Sequence, residues 1–583
     1  MIHHRPAVWL PAQALLLGLV LAAALACTHG LQPTPVPPSA TASRVPTETT
    51  TANPTATISA TRPQEIATNT HTPTWTATRS PIFTVTITRP PATPTSPAPE
   101  PPPPKDPNKL ARELQAIPLP LAIATEAAKP YQVGEREIFW LSDFETALPY
   151  TITAVLEHVS PHLYMWVQEG VPADPDSLAA SAHEFETQIY PVNRTHFGVE
   201  PSPGVDSDIR LHIVNALFEG AAGYFSSADA YPQRVNPYSN EKEMFYINLR
   251  YREPGTEAYY TTLAHEFQHM IHWHADLNEE AWVTEGASQL AELLNGYGQR
   301  HSGAFTSAPD HQLNTWTVSE AAIHYDAAFL WQTYFLNRFG AEGLRHLVQH
   351  QDNGPWGYNA VLAATSPGER FEDLYADWVI ANYVDDPGLA DGRYGYHQLD
   401  VGEIAARRVH EYPYHSSETV HQFGTDYVEL YATTGDLALD FDGATTVRLV
   451  PAEPYAGDYI WWSNRGDNSV MTLTRAFDLT PVASATLTFA LWFEIERGWD
   501  QAYVQVSTDG GATWAILPGE HTTVASDSTS YGPAYTGHSG EGPEAVWVQE
   551  SIDLDAYAGQ QILLRFQMIT DDAVNRPGLC LDQ

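Results

Sequence analysis

HEFQHMIHWH, from His265 to His274, places four histidines and a glutamate within ten positions. On a helix, His265 and His269 stand one turn apart and present their imidazoles on the same face, so both can hold one metal ion. Glu266 lies about 100° further round, where its carboxylate can reach a water beside that ion and serve as general base. Tyr260, Leu263, Phe267, Met270 and Ile271 fall on the opposite face and are expected to be buried. A polar pair on one side and an apolar stripe on the other suit the wall of a cleft.

Catalytic zinc commonly takes three protein ligands and keeps one position open. His272 points the right way but sits about 10 Å further along the axis than His265, too far for the rings to converge. It is expected at the surface or behind the ligands, and His274 toward the apolar side near the helix end. The pattern HExxHxxGxxH is absent, because position 272 is His and position 275 is Ala. The better candidate is downstream, in ADLNEEAWVTEGASQLAELL. Asp276 and Glu279 have capping-box spacing for a second helix. Glu285 lies inside that helix on a face shared with Ser288, Gln289 and Glu292, and a returning helix brings its carboxylate to the metal.

The elements that must position these residues are legible around them. REIFWLSDF, TITAVLEHV and HLYMWVQEG read as strands, as do DIRLHIVNAL and EMFYINLR after an intervening helix opened by a capping Asp in DPDSLAASAHEFETQIYPVNRTHFG. In that helix Leu178, Phe185 and Ile189 have core spacing. Helices dominate from 256 to 386, after a strand-rich 130–250. Strands followed by helices argue for an α+β domain over 107–410.

From about Tyr427 the texture changes to short alternating strands such as ATLTFALWFEI, QAYVQVSTDGG and QILLRFQMI, the pattern of an all-β jelly roll or sandwich over 425–583. GLCLDQ reads as a further strand, either short or cut by truncation. STDGGATW, Ser507 to Trp514, fits an Asp-box hairpin turn, and RGD at 465–467 reads as a turn. Trp461, Trp462 and Trp499 are expected in core packing, with glycan stacking the alternative. Acidic turns offer ligands for Ca²⁺, without diagnostic spacing.

The 583 residues carry a formal charge of −41, which excludes nucleic acid and anionic membrane surfaces as partners. Residues 1–26 read as a signal peptide, with an apolar run from Ala14 to Ala26 too short to span a bilayer. ALAC favours a lipobox with lipidation at Cys27 over a simple cleavage site. Residues 27–106, rich in Thr and Pro, read as a disordered stalk. An extracellular or cell-surface bacterial lipoprotein is the expectation.

HEFQHMIHW followed by EEAWVTEGASQLAE resembles the gluzincin pattern of HExxH and a downstream W-x-x-E-G. It looks most like the hyicolysin-type zinc metallopeptidases and is more distantly similar to the thermolysin and aminopeptidase N groups. The resemblance spans about 130–385 and includes YMWVQEG, GAAGYFSS and MFYIN. It implies a zincin-like fold, Zn²⁺ held by His265, His269 and Glu285, Glu266 as general base, and protein or peptide substrates. IHYDAAFLWQTYFLNRFG resembles the helix that carries an oxyanion-steadying tyrosine, here Tyr325, although Asp326-Ala-Ala follows where that group has lysine-glycine. Tyr325 or His324 would then hydrogen-bond the oxyanion. The region from WWSNRGDN to RFQMITDDAVN resembles the C-terminal β-sandwich of immune inhibitor A peptidases. The function expected is an exported zinc metallopeptidase. The alternative is a cell-surface adhesion or carbohydrate-binding protein with a vestigial zincin domain, against which the intact His265, Glu266, His269 and Glu285 argue.

Overall fold

The computed structural model describes residues 100–118, 130–144, 148–297, 302–431, 436–444, 446–524 and 530–583, with the short strand segments Thr57–Ile58 and Phe83–Thr86. The signal segment, Cys27 and most of the Thr/Pro-rich stretch lie outside the described residues. Among those described, no helix is long and apolar enough to cross a membrane.

A six-stranded sheet opens the first unit: β1 (Arg136–Asp143), β2 (Leu148–Val159), β3 (Leu163–Gln168), β4 (Leu211–Ala216), β5 (Gly223–Phe225) and β6 (Met244–Asn248). Their order is β1-β2-β3-β4-β6-β5. β3, β4 and β6 pair in parallel, with Met165 beside Ile213 and Ile213 beside Phe245. Central parallel strands are covered on both faces, which explains why LYMWV, LHIVNA and MFYIN are buried almost without alternation. One face carries Phe139, Trp166, Val214 and Tyr246. The other packs Met165, Ile213 and Phe245 against the helices. β5, three residues long, is the outermost strand and runs antiparallel to β6.

The helices follow. Asp174 caps the first of them, accepting from the backbone N–H of Ser177 at 3.0 Å, and Leu178, Phe185 and Ile189 enter the core as their spacing predicts. The histidine helix (Glu257–Ala275) lies beside a return helix (Ala281–Leu294), and the return helix packs on a long helix (Ala321–Val348) that breaks at Gly340, φ 66°. A helix at Phe371–Val384 closes the set.

The C-terminal unit is a β-sandwich of two four-stranded antiparallel sheets. One contains Trp461–Trp462, Gly578–Asp582, Thr486–Glu494 and Val548–Asp553; the other contains Val470–Asp478, Gln561–Ile569, Gln501–Ser507 and Ala515–Leu517. Phe489, Leu491, Phe493, Val504, Val506, Leu564 and Met568 fill the space between them. The Asp-box turn forms as its residues require: the Asp509 carboxylate accepts from the backbone N–H of Ala512 and of Thr513, both at 3.0 Å. Trp461 departs from its expectation of core packing, being 66% exposed on an edge strand.

Two segments pack differently from their neighbours in sequence. Helix Pro107–Gln115, expected at the start of the α+β domain, lies on the sandwich, where Leu110 meets Tyr503 and Ile569 and Glu113 accepts from Arg565 at 2.7 Å. Tyr427–Leu430, expected to open the sandwich, instead pairs in parallel with Ala406–Val409, and Tyr427 donates to Val379 O of the last helix.

Candidate metal centre

Thr256 caps the histidine helix, and Leu263, Phe267, Met270 and Ile271 anchor its apolar face in the core. That fixes the opposite face toward the return helix. The Nε2 atoms of His265 and His269 lie 3.1 Å apart, and Glu285 Oε2 lies 3.3 Å from the first and 3.6 Å from the second. The structure therefore brings together the three residues singled out by type and spacing.

The donor set fits a tetrahedral cation. Ligands about 2.0–2.1 Å from zinc in a tetrahedron stand about 3.3–3.4 Å from one another, and the three observed separations bracket that value. His265 Nδ1 lies 2.8 Å from Glu292 Oε1. A carboxylate can only accept, so the ring proton sits on Nδ1 and the Nε2 lone pair faces inward. Glu285 Oε2 is buried and accepts no hydrogen bond. The Nε2 lone pair of His265 and the Glu285 carboxylate oxygen thus converge with His269 Nε2 on one point. Burial alone would lower the His265 pKa, but Glu285 and Glu292 beside it, with Glu266, raise it well above its ordinary value, an excess of negative charge that a bound cation would balance in place of a second ring proton. Burial would raise Glu285, yet His269 and His265 hold it well below the usual carboxylate range.

Glu266 is buried next to this cluster, and burial raises its pKa, with the two histidines opposing. Gly223 of β5 passes directly over it. A Cβ there would stand 3.1 Å from Glu266 Oε1, 2.9 Å from Tyr246 O and 2.5 Å from Thr262 Cγ2, so only glycine lets the edge strand approach. Gly286, next to Glu285, has the same function for the return helix: its Cβ would lie 2.6 Å from Ala328 O of the long helix.

A cleft of about 710 Å³ opens onto the cluster. Phe225, Trp273 and Tyr325 line it from the α+β unit, and Trp499, Asp571 and Arg576 line it from the sandwich. Tyr325 packs edge-on against Trp316.

His324, the other residue expected near the oxyanion, is not among the residues lining the cleft. Its Nε2 accepts the Thr317 backbone N–H at 3.0 Å, which puts its proton on Nδ1, 2.8 Å from His311 Nε2. His311, Glu320 and His324 also lie within ligand distance of one another. That tautomer joins His324 to His311 by a hydrogen bond, with Glu320 at ion-pair distance, 3.7 Å from His311 Nδ1. His272 is buried rather than at the surface: Gln268 gives its amide to His272 Nδ1 at 3.3 Å and accepts the Ser288 hydroxyl at 2.5 Å, joining the two helices. His274 is exposed instead of facing the apolar side.

The return helix does not start where the spacing of Asp276 and Glu279 predicts. Asp276 ends the histidine helix and accepts from Asn278 N–H at 3.2 Å, while Glu279 Oε1 accepts from the N–H of Glu280 and of Gly354. The helix begins at Ala281, whose N–H donates to Asp467 Oδ2 of the sandwich at 2.8 Å. Glu292, the partner of His265, has a sequence signal in its shared face with Glu285, and Gly223 lies in the GAAGYFSS of the resemblance; Asp467 reads only as part of a turn.

Comparison with known proteins gives relatives for parts of the chain. Residues 440–583 match the immune inhibitor A-like MAM domain family. The pre-pro-metalloprotease PrtV of Vibrio cholerae is 34% identical over 137 residues, which is 23% of this chain and 14% of PrtV. The neutral metalloprotease ShpI of Staphylococcus hyicus is 27% identical over 212 residues, 31% of this chain and 46% of ShpI. Immune inhibitor A of Bacillus thuringiensis subsp. alesti is 29% identical over 130 residues, 22% of this chain and 17% of that protein. The chain thus spans less than half the length of each of these relatives. It is similar over those parts to three metalloproteases, and its C-terminal region to the immune inhibitor A-like MAM domain.

Proposed function

We propose that this chain is an exported zinc metallopeptidase with a zincin-like catalytic unit of the gluzincin type, held at a bacterial cell surface through Cys27. The observation that carries the reading is the convergence of His265, His269 and Glu285 on one point, with buried Glu266 beside it and a cleft open to both. When bound, zinc supplies Lewis acidity toward a peptide carbonyl and the attacking water.

The chain's own residues do the rest. His265 and His269 offer Nε2 lone pairs and Glu285 a carboxylate oxygen. Glu292 fixes the His265 ring through Nδ1 and keeps the proton off the liganding nitrogen. Glu266, whose burial strengthens its hold on a proton, takes one from the attacking water and returns it to the leaving amine. Tyr325, at the cleft wall, donates toward the oxyanion. β5 is the outermost strand of its sheet and borders the cleft, a position from which a main chain can hold an extended peptide.

Zinc stoichiometry measured alongside casein or gelatin digestion, with chelator added and then removed, tests this. One zinc per chain, activity lost with chelator and restored by zinc, is the expected result. Glycan binding without hydrolysis by the zinc-loaded protein would favour an adhesion role instead.

A further inference from the structure

We propose that Asp467, the last residue of the RGD loop in the sandwich, is a positioning residue for Glu285 across the junction between the two units. The inference rests on the zinc reading of the site given above. It accounts for a loop that sequence reads only as a turn.

The first turn of the return helix has no local cap: Glu280 precedes it without a side-chain cap bond, its carboxylate turned to Trp282 Nε1 at 2.6 Å. The carboxylates of Asp276 and Glu279 serve the backbone of Asn278, Glu280 and Gly354. Asp467 Oδ2 meets the Ala281 N–H instead, at 2.8 Å, from a side chain 1% exposed. Glu285 follows Ala281 by four residues, one turn further on, so its carboxylate is set by the turn that Asp467 holds.

Asp467 is itself fixed by the sandwich. Ser469 Oγ donates to the Asp467 carbonyl at 2.7 Å, and the Ser469 N–H donates to Thr570 Oγ1 at 2.9 Å. Gly466 passes so close to Pro102 that a Cβ would stand 2.7 Å from Pro102 Cγ. Asn278, in the turn between the two helices, donates to Ser469 Oγ and to Pro102 O, each at 3.1 Å. Arg465 reaches the Asn314 carbonyl at 3.4 Å. The turn and the helix start that carry Glu285 are therefore both tied to one rigid loop. Val574 of the sandwich sits in the core of the helical unit, so the junction is packed as well as bonded.

The test measures zinc affinity of the full chain by competition with a chromogenic chelator, with folded fraction followed by circular dichroism. Asp467→Ala is expected to bind zinc at least roughly tenfold more weakly, as loss of an outer support does elsewhere. Asp467→Asn, which keeps an acceptor oxygen at the same reach, should stay close to the parent. In a Glu285→Ala background, Asp467→Ala should add no further loss, because the ligand it positions is gone. Should Asp467→Ala fail to fold, Asp467→Ser takes its place, since the shorter hydroxyl falls short of Ala281 and should lose affinity while Asn does not. Parent-like affinity in the Ala or Ser variant, or an equal loss with and without Glu285, overturns the proposal. A parent chain that binds no zinc overturns the metal reading and this proposal together; a zinc-binding parent with an indifferent Asp467 overturns this proposal alone.

Discussion

His265 is gripped at both ring nitrogens, by Glu292 at Nδ1 and by the converging cluster at Nε2. The Nδ1 contact and the neighbouring Glu266 carry separate consequences. Glu292→Ala frees the ring and its tautomer, and zinc affinity should fall by about 10- to 100-fold while the fold persists; chelator competition reads this directly. Glu266→Gln removes the proton acceptor without touching a ligand. It should keep one zinc per chain and lower kcat by roughly 10²- to 10⁴-fold on a casein or peptide substrate; full activity in that variant would contradict the general-base role. His265, Glu266 and His269 are legible in sequence because helical periodicity sets their directions, whereas Glu285, on a second helix, also needs the turn that returns that helix to the first. Tyr325 rested on resemblance, and the structure brings it to the cleft wall. For its companion His324, no local pattern reveals that Nε2 is taken by the Thr317 N–H.

At the scale of elements, the site depends on how closely the return helix approaches the long helix. Gly286→Ala places a methyl 2.6 Å from a backbone carbonyl that cannot swing aside. Overpacking of this kind typically costs about 1–3 kcal/mol. Both the melting temperature and the zinc affinity should drop, because Glu285 moves with its helix; unchanged values would show that the helices separate freely. The strands and helices were readable because the central strands are apolar on both faces and the helices carry clear stripes. The start of the return helix was not. Asp276 and Glu279 have the spacing of a capping box, but they bind other backbone groups, and the acceptor for the Ala281 N–H lies 186 residues away. A cap supplied by another domain leaves no trace in local sequence.

At the scale of the molecule, the sandwich is a wall of the cleft rather than an appendage, and its junction is acidic. Burial, with Glu280, Asp500 and Asp572 nearby, pushes Asp467 up to about 7. Burial also raises Glu496, Asp500 and Asp571, with repulsion from neighbouring carboxylates added at Glu496 and Asp571. Each of these groups holds its proton more tightly folded than unfolded. The stability they contribute is complete below the unfolded carboxylate range near pH 4 and is lost as pH rises through their folded values. Between pH 5 and 8 the melting temperature should therefore fall more steeply in the parent than in Asp500→Asn; parallel slopes would contradict it. The change of texture near Tyr427 precedes the sandwich, whose strands start at Trp461–Trp462. The packing of Pro107–Gln115 on the sandwich was not legible in sequence, because amphipathicity says that a face is buried and not against what. The account stands on the three-ligand site, and the zinc content of the purified chain beside its His269→Ala variant tests it most directly. It predicts one zinc per parent chain and none retained by the variant after dialysis; no zinc in the parent, or equal zinc in both, would contradict it.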